Sequence, residues 1–493
     1  MASLVRSPVF DGLAPAIVWQ HFSTFCAIPR PSKGEAALRD YLKDWAVARG
    51  LATSVDATGN LIVRKAASPG HEGAPTVVMQ AHIDMVCQAN AGTEHDFTRD
   101  PILPVLRDDG WLVAPNTTLG ADNGIGAALM LAALEDDTLV HGPLAALFTV
   151  DEEAGMGGAR GLEPDVLQGK LMINLDTEAW GEFFLGCAGG SNVSVDRPGT
   201  PEPVPAGLAG WRIDLKGLRG GHSGIDIHEG RGNAIKQLVR FLRQLESRWP
   251  ALRLAALKGG TARNALPREA FATLALPADA ATELAQLAAD FQAALRYELA
   301  GIDEGATVTV QPCAVDTVLS AADQKVWLPS LHAAPHGVRR MSVAVPGVVE
   351  TSDNLGVVDI TPQAGSCMFM VRFLVEGPGV ELANEIVSLF ALSGTEASVF
   401  GFYPGWAPNP SSPLLATCQA AFTEVFGGDS ETHVVHAGLE CGIIGGKYPE
   451  LDMVSFGPNI RGAHAPGESV DVASVERCWR LLRHILTKLA EVG

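Results

Sequence analysis

Residues 76–84 read TVVMQAHID, an apolar run that stops abruptly at His82 and Asp84. A short, continuously apolar run fits a strand buried on both faces of a sheet better than a half-exposed strand, which would alternate. Two more stretches have the same form. PLAALFTV (143–150) runs into Asp151, Glu152 and Glu153, and KLMINL (170–175) runs into Asp176. A fourth, LDMVSFGP (451–458), leads into the loop that carries His464, and a helical stretch, GIGAALMLAALED (124–136), begins just after Asp122. Buried strands alternating with helices predict an α/β sheet with a substantial parallel component. Ligands of such sheets sit beyond the carboxyl ends of the strands, where these acidic and imidazole side chains fall.

The flanks fit the same layout. IVWQHFSTFCAI (17–28) and EAALRDYLKDWAVARG (35–50) have helical periodicity, and LATSVDATGNLIVRK (51–65) reads as a strand pair turning at Thr58-Gly59-Asn60. SVERCWRLLRHILTKLAEV (474–492) reads as a closing helix. From about residue 187 to 406 the pattern changes. A strand at LAGWRIDLKGL (208–218), a helix at GNAIKQLVRFLRQLESR (232–248), a strand at NALPREAFATLAL (264–276) and a helix at AATELAQLAADFQAALRYEL (280–299) predict a ferredoxin-like α+β unit. A second such unit is expected from ATVTVQPCAV (306–315), a helix near AADQKVWLPSLHAA (321–334), a strand SCMFMVRFLV (366–375) and a helix VELANEIVSLFALSG (380–394). Asn264 and Asn354 fall at comparable places in the two halves, which suggests an internal duplication. His464 must join Asp176 across this gap. Residues 187–406 are therefore expected to be an insertion into a catalytic domain made of 1–186 and 407–493.

At 493 residues, 47% of them apolar, the chain can build more than one core. A net charge of -20 argues against nucleic acid and anionic membrane as partners. The start, MASLVRSPVFDGLAP, has no secretory apolar stretch, and no run is long enough for a membrane span, so a cytoplasmic protein is expected. Eight scattered cysteines show no thiolate-zinc spacing, which leaves histidine and carboxylate to hold any metal.

Each motif has a plain reading beside the chemical one. His82 and Asp84 share a face of an extended segment, so one ring nitrogen could bind a metal while Asp84 holds the other; both could equally be loop residues. Asp122 sits before a helix, where capping the helix and bridging two ions compete for one carboxylate. Three successive acids at 151–153 repel one another unless cations compensate, and strand alternation would let one Glu ligate while its neighbour faces substrate. GLRGGHSGIDIHEG (217–230), with His222 and His228, lacks the phosphate-loop pattern, and Arg160 spoils the dinucleotide-like start at Gly155-Met156-Gly157. No GxSxG elbow is present.

QAHIDMV, GADNGIG, DEEAGM, NLDTE, GGHSG, HAGLECG and GAHAPGE, in this order from residue 80 to 468, resemble the di-zinc metallopeptidase family that includes carboxypeptidase G, tripeptide aminopeptidase and the cytosolic dipeptidases. The resemblance implies a zinc-peptidase-like, three-layer α/β catalytic domain with an inserted α+β lid, which the duplication read above would give two lobes. It implies one zinc on His82 and Asp176, a second on Glu153 and His464, and Asp122 bridging them, with manganese or cobalt as possible substitutes. Asp84 would orient His82, and Glu152 would be the general base for a hydroxide bridging the two ions. His222 would stabilise the oxyanion, Asn264 would lie near the substrate's carboxylate, and His436 and Glu440 would line the substrate end. The expected activity is hydrolysis of dipeptides, Xaa-His among them, with an amidase or deacylase of N-acyl amino acids as the alternative. A homodimer fits the family, whose members with single-lobed lids take the oxyanion histidine from the partner; a second lobe could let His222 act within its own chain.

Overall fold

The computed structural model describes residues 7–491; residues 1–6, part of the stretch read above for a leader, lie outside the described residues. The chain divides into two compact units. One comprises Met1–Gly186, Pro408–Val434 and Leu439–Gly493, and the other Cys187–Ala407 with Val435–Gly438. The four residues 435–438, inside the segment 407–493, thus group with the second unit, because the Ala188 amide donates to the carbonyls of Val435 and Ala437.

The first unit opens with α1 (Ala16–Ala27) and α2 (Ala36–Ala48), then β1 (Ala52–Val55), β2 (Leu61–Lys65), β3 (Val77–His82), α3 (Ala121–Glu135), β4 (Leu144–Thr149), β5 (Leu171–Asn174) and β6 (Glu182–Cys187). The second unit supplies β7 (Gly189–Pro198), β8 (Leu208–Lys216), α4 (Ala234–Arg248), β9 (Arg253–Gly259), β10 (Ala270–Pro277), α5 (Ala281–Glu298), β11 (Thr307–Pro312), α6 (Ala321–Ala333), β12 (Val349–Ile360), β13 (Ala364–Phe373), α7 (Glu376–Ala391) and β14 (Glu396–Tyr403). The chain returns to the first unit with α8 (Pro413–Phe426), β15 (Glu431–Val435), α9 (Glu440–Lys447), β16 (Asp452–Ser455) and α10 (Val472–Ala490).

The first unit's sheet has the order β1-β2-β4-β3-β5-β16-β6-β15. Its centre is parallel: β3 pairs with β4 and β5, and β5 with β16, in one direction. Its flanks are antiparallel, at β1-β2, β2-β4 and β16-β6. All six residues of β3 and of β4 are buried, the condition that permits uninterrupted apolar runs. Helix α3 is apolar on every side and buried from Gly124 to Leu134, packed against α1 and β3. Three parallel strands in register bring His82, Thr149 and Asn174 to one end of the sheet.

The second unit is built on one large antiparallel sheet, β11-β8-β10-β9-β12-β13-β7-β14, with a short strand at Gly337–Met341 beside β12 and two small pairings apart from it, Pro201–Pro203 with Thr317–Leu319 and Gly221–His222 with Ala265–Leu266. It consists of two ferredoxin-like lobes. One is β8-α4-β9-β10-α5-β11; the other is β7-α6-β12-β13-α7-β14. Helix α4 shows why they form: Asn233 caps it by accepting from the Lys236 amide, and Ile235, Leu238, Val239, Leu242 and Leu245 make a buried stripe three and four apart. Phe241 of α4 stacks on Phe291 of α5 at 4.8 Å.

The duplication differs from the sequence expectation in two respects. ATVTVQP does not open the second lobe; it is β11, the closing strand of the first, paired with β8. The second lobe opens instead with β7, so the first lobe is threaded into it. Asn264 and Asn354 are also not equivalent, since Asn264 lies in the β9–β10 connection and Asn354 inside β12. The amide of Asn354 donates to the carbonyls of Arg263 and Ala265 and so fixes the segment that carries Asn264.

Candidate metal centre

His82 is the last residue of β3 and only 1% exposed. Its Nε2 faces two carboxylates, Asp122 Oδ1 at 3.0 Å and Asp176 Oδ1 at 3.3 Å. The other oxygen of Asp122 lies 3.1 Å from His464 Nε2, which also stands 3.1 Å from Glu153 Oε2. Two groups result, His82-Asp122-Asp176 and Asp122-Glu153-His464, and within each the ligand atoms lie within 4.8 Å of one another. Asp122 belongs to both. Glu152 forms a third such group with His82 and Glu153.

Asp84 does more than face His82. Its Oδ1 lies 3.4 Å from His82 Nδ1 and accepts from the Glu152 amide, while Oδ2 accepts from the Glu153 amide and the Ser32 hydroxyl. One buried carboxylate therefore stands beside the imidazole and holds the acidic turn. That turn is not strand, as alternation would require: β4 ends at Thr149 and Asp151 adopts φ +55°. The left-handed residue, not the pleat, separates Glu152 from Glu153. His464, at φ +66°, takes the same conformation, which costs a non-glycine residue roughly 1–2 kcal/mol and is tolerated where the surroundings fix it.

The charges lean on one another. Burial works against a charged His82, yet Asp176, Asp122 and Asp84 raise its pKa well above the usual value. Hydrogen bonds to Asp122 and Glu153 carry His464 up to about 11, and burial lifts Asp176 to about 7. Glu152 is raised well above the carboxylate range by burial, with Asp176 and Glu440 adding to it against His82. Glu153 Oε1 is buried with no protein partner. Imidazole nitrogens and carboxylate oxygens in two groups with a shared member, and an orphaned buried oxygen, fit two divalent cations.

Glu440 lies beneath the strand ends with its side chain fully buried, its Oε2 accepting from Gln80 Nε2 and Thr149 Oγ1 at 2.6 Å each. Burial lifts its pKa to about 8. A further group, Glu182, Glu431 and His433, sits on the neighbouring strands β6 and β15, with Glu431 exposed and the other two half-buried.

The remaining candidates belong to the second unit. His222 Nδ1 accepts from the amides of Gly224 and Ile225 at 3.2 and 3.1 Å, while Nε2 meets Arg372 Nη2 at 3.2 Å. Burial and Arg372 lower its pKa to about 4, so the ring is neutral and carries one proton for two nitrogens that both face donors. His436 Nε2 pairs with Ser352 Oγ at 2.8 Å, and burial holds its pKa near 3. Asn264 is exposed, and its carbonyl accepts from the Ser223 amide.

Arg372 is absent from the sequence reading. It is 3% exposed, reaches Ser223 Oγ and Tyr403 Oη as well as His222, and has no ion-pair partner among the described residues. A buried guanidinium without a carboxylate is costly unless an anion joins it. The signal was available: an arginine inside the apolar strand SCMFMVRFLV is out of pattern.

Comparison with known proteins adds the following. The model of Peptidase family M20/M25/M40 matches residues 78–488. The chain is 44% identical to the cytosol non-specific dipeptidase of Escherichia coli (strain K12) over 97% of its own length and 98% of that protein's. It superimposes on the aminoacylhistidine dipeptidase of Vibrio alginolyticus with TM-score 0.89 at 43% identity, covering 97% and 98% of the two chains. A Staphylococcus aureus tripeptidase, 16% identical over 97% and 99%, shares the fold at TM-score 0.57.

Proposed function

This chain belongs to peptidase family M20/M25/M40, and from that premise we propose that it is a metal-dependent dipeptidase of broad specificity, Xaa-His dipeptides included. The observation that carries the reading is the shared carboxylate: Asp122 offers one oxygen to His82 and the other to His464. His82, Asp176 and Asp122 would hold one ion, and Asp122, Glu153 and His464 the other. Zinc suits this mixture of imidazole and carboxylate, and manganese or cobalt accepts the same donors. Two bound divalent ions would polarise the scissile carbonyl and bring the pKa of a water toward neutrality.

The chain's own groups do the rest. Glu152 takes the proton from the attacking water and returns it to the leaving amine, a task that favours a carboxylate whose pKa lies above the ordinary range. Asp84 keeps the proton of His82 on Nδ1 and presents Nε2 as a ligand. His222 and Arg372 offer N–H groups to the oxygen that gains charge or to the substrate's terminal carboxylate; one such donor to an oxyanion is typically worth about 2.7–4 kcal/mol. Asn264 and His436 would contact substrate, and Glu440, fully buried under Gln80 and Thr149, would act from beneath. We assign the protein to the cytoplasm, in keeping with the name of its E. coli relative; no helix of the described residues is long and apolar enough to cross a membrane.

The alternative, an amidase or deacylase, differs in not requiring a free amine. Rates on alanyl-histidine, β-alanyl-histidine and N-acetyl amino acids, before and after a chelator, separate the two. Dipeptides should be cleaved, N-acetyl amino acids spared, and activity lost on chelation and restored by metal. Faster turnover of the acetylated compounds would assign the site to the alternative.

A further inference from the structure

Glu468 and Arg30 are buried to 2% and 1% exposure beside the metal groups, and neither is a candidate ligand. The carboxylate of Glu468 accepts four consecutive backbone amides: Leu119 and Gly120 on Oε2 at 2.8 and 2.9 Å, Ala121 and Asp122 on Oε1 at 2.8 and 3.2 Å. Leu119 and Gly120 precede α3 and Ala121 and Asp122 open it; Asp122 and Asn123 have non-helical φ/ψ, so these four amides belong to the turn ahead of the regular helix. Gly120 in the N-cap position makes no side-chain cap, and Asp122 faces the two histidines instead. An acid 346 positions away in the chain holds this turn.

Arg30 works from the opposite side. Its Nη1 donates to the carbonyls of Ile83 and Asp84 at 3.1 and 2.8 Å, its Nη2 to Gly120 at 2.5 Å, and its Nε to Phe25 at 3.3 Å. Gly120 is in the left-handed conformation at φ +70°, and a Cβ there would collide with Arg30 Nη2, so the turn is fitted to the guanidinium. Glu468 is four residues past His464, and its backbone is tied to the Asp122 side of the site by the bond from the Ala114 amide to the Glu468 carbonyl.

We propose that Glu468 and Arg30 are positioning residues for the dinuclear centre: Glu468 locks the turn of Asp122 to the loop of His464, and Arg30 locks it to the end of β3 that carries His82. The three ligand segments are remote in sequence, and a bridging carboxylate must be placed to within a fraction of an ångström to serve two ions at once. With its backbone held by Glu468, Asp122 keeps both side-chain oxygens toward the two histidines. Loss of either residue weakens both ions together, because Asp122 is common to both.

The proposal rests on the metal reading of Asp122 and His464. The test is cobalt(II) binding to the whole protein, read as stoichiometry, as competition against a chelator and as the visible d–d spectrum. Wild type should take two ions. Glu468→Gln replaces one acceptor by an amide donor and orphans two backbone N–H groups; it should bind both ions at least tenfold more weakly, with an altered spectrum. Arg30→Lys, which cannot span the four carbonyl groups, should do the same. Leu486→Ala, which opens a cavity in α10, should lower the melting temperature and leave cobalt affinity as in wild type. If Glu468→Gln does not fold, Glu468→Asp, one methylene shorter, is read in the same way. Wild-type affinity and spectrum in the folded glutamate and arginine variants would overturn the proposal, whereas failure of the wild type to bind two ions would instead remove the metal reading beneath it.

Discussion

Asp122 shows how one residue can be ambiguous in sequence and decided by its neighbours. Before a helix, aspartate is an ordinary cap, and the competition between capping and bridging could not be settled from LGADNG alone. In the fold both of its oxygens face histidines, and Glu468 holds the backbone of the turn through the amides of Ala121 and Asp122. Arg372 is the complementary case, a buried cation whose partners are a hydroxyl, a phenol and an imidazole, with no acid. If its counter-charge is the substrate's carboxylate, Arg372→Met should fold and retain its metals while kcat/KM for dipeptides falls at least a hundredfold, mostly through KM. Unchanged steady-state kinetics in that variant would mean that the guanidinium serves packing only.

Among the elements, the buried strands β3, β4 and β5 were legible because burial on both faces removes the polar half of the pattern. Among the strands that escaped, β7, β12 and β14 are long and mixed, with Glu350, Asp353 and Asn354 inside the sheet on β12, while β6, β9 and β15 are short. His436, just past β15, adds a pH dependence to this part of the molecule. Burial, together with Arg372, His222 and His228, holds its pKa near 3, so the folded protein resists a proton that the unfolded chain accepts at about 6.5. The unfolded state therefore binds more protons below pH 6.5, and stability falls as pH drops through that window toward 3. Urea unfolding at pH 7 and pH 5 should show a loss smaller in His436→Gln than in wild type by on the order of 1–2 kcal/mol. Equal losses would show that His436 titrates normally.

For the whole molecule, the second unit's sheet has an informative order. Numbering the strands of each lobe by position, it reads 4-1-3-2 and then 2-3-1-4, joined where β9 pairs antiparallel with β12 through Leu257↔Ile360 and Gly259↔Val358. Two like lobes meeting through the same strand give the arrangement that two copies of a single lobe would make across a twofold axis. We propose that the second lobe takes the place of a partner's lid, so that His222 acts within its own chain. Equimolar Glu152→Gln and His222→Ala proteins, unfolded and refolded together, should stay inactive. Recovery toward a quarter or more of wild-type turnover would show that the histidine is exchanged between subunits.

The sequence by itself determined the α/β character, the strand-end placement of His82, Glu152, Glu153 and Asp176, and the need to bring His464 back to them. Those follow from apolar runs ending in ionisable side chains, a pattern set by solvation and visible one residue at a time. Only the tertiary structure decided that Asp122 faces two histidines at once, that Asp84 holds an acidic turn as well as a ring, that Arg372 lies buried without an acid, and that the first lobe is threaded through the second. These depend on contacts between residues 31 to 342 positions apart, and the energy of such a contact leaves no local periodicity in the chain.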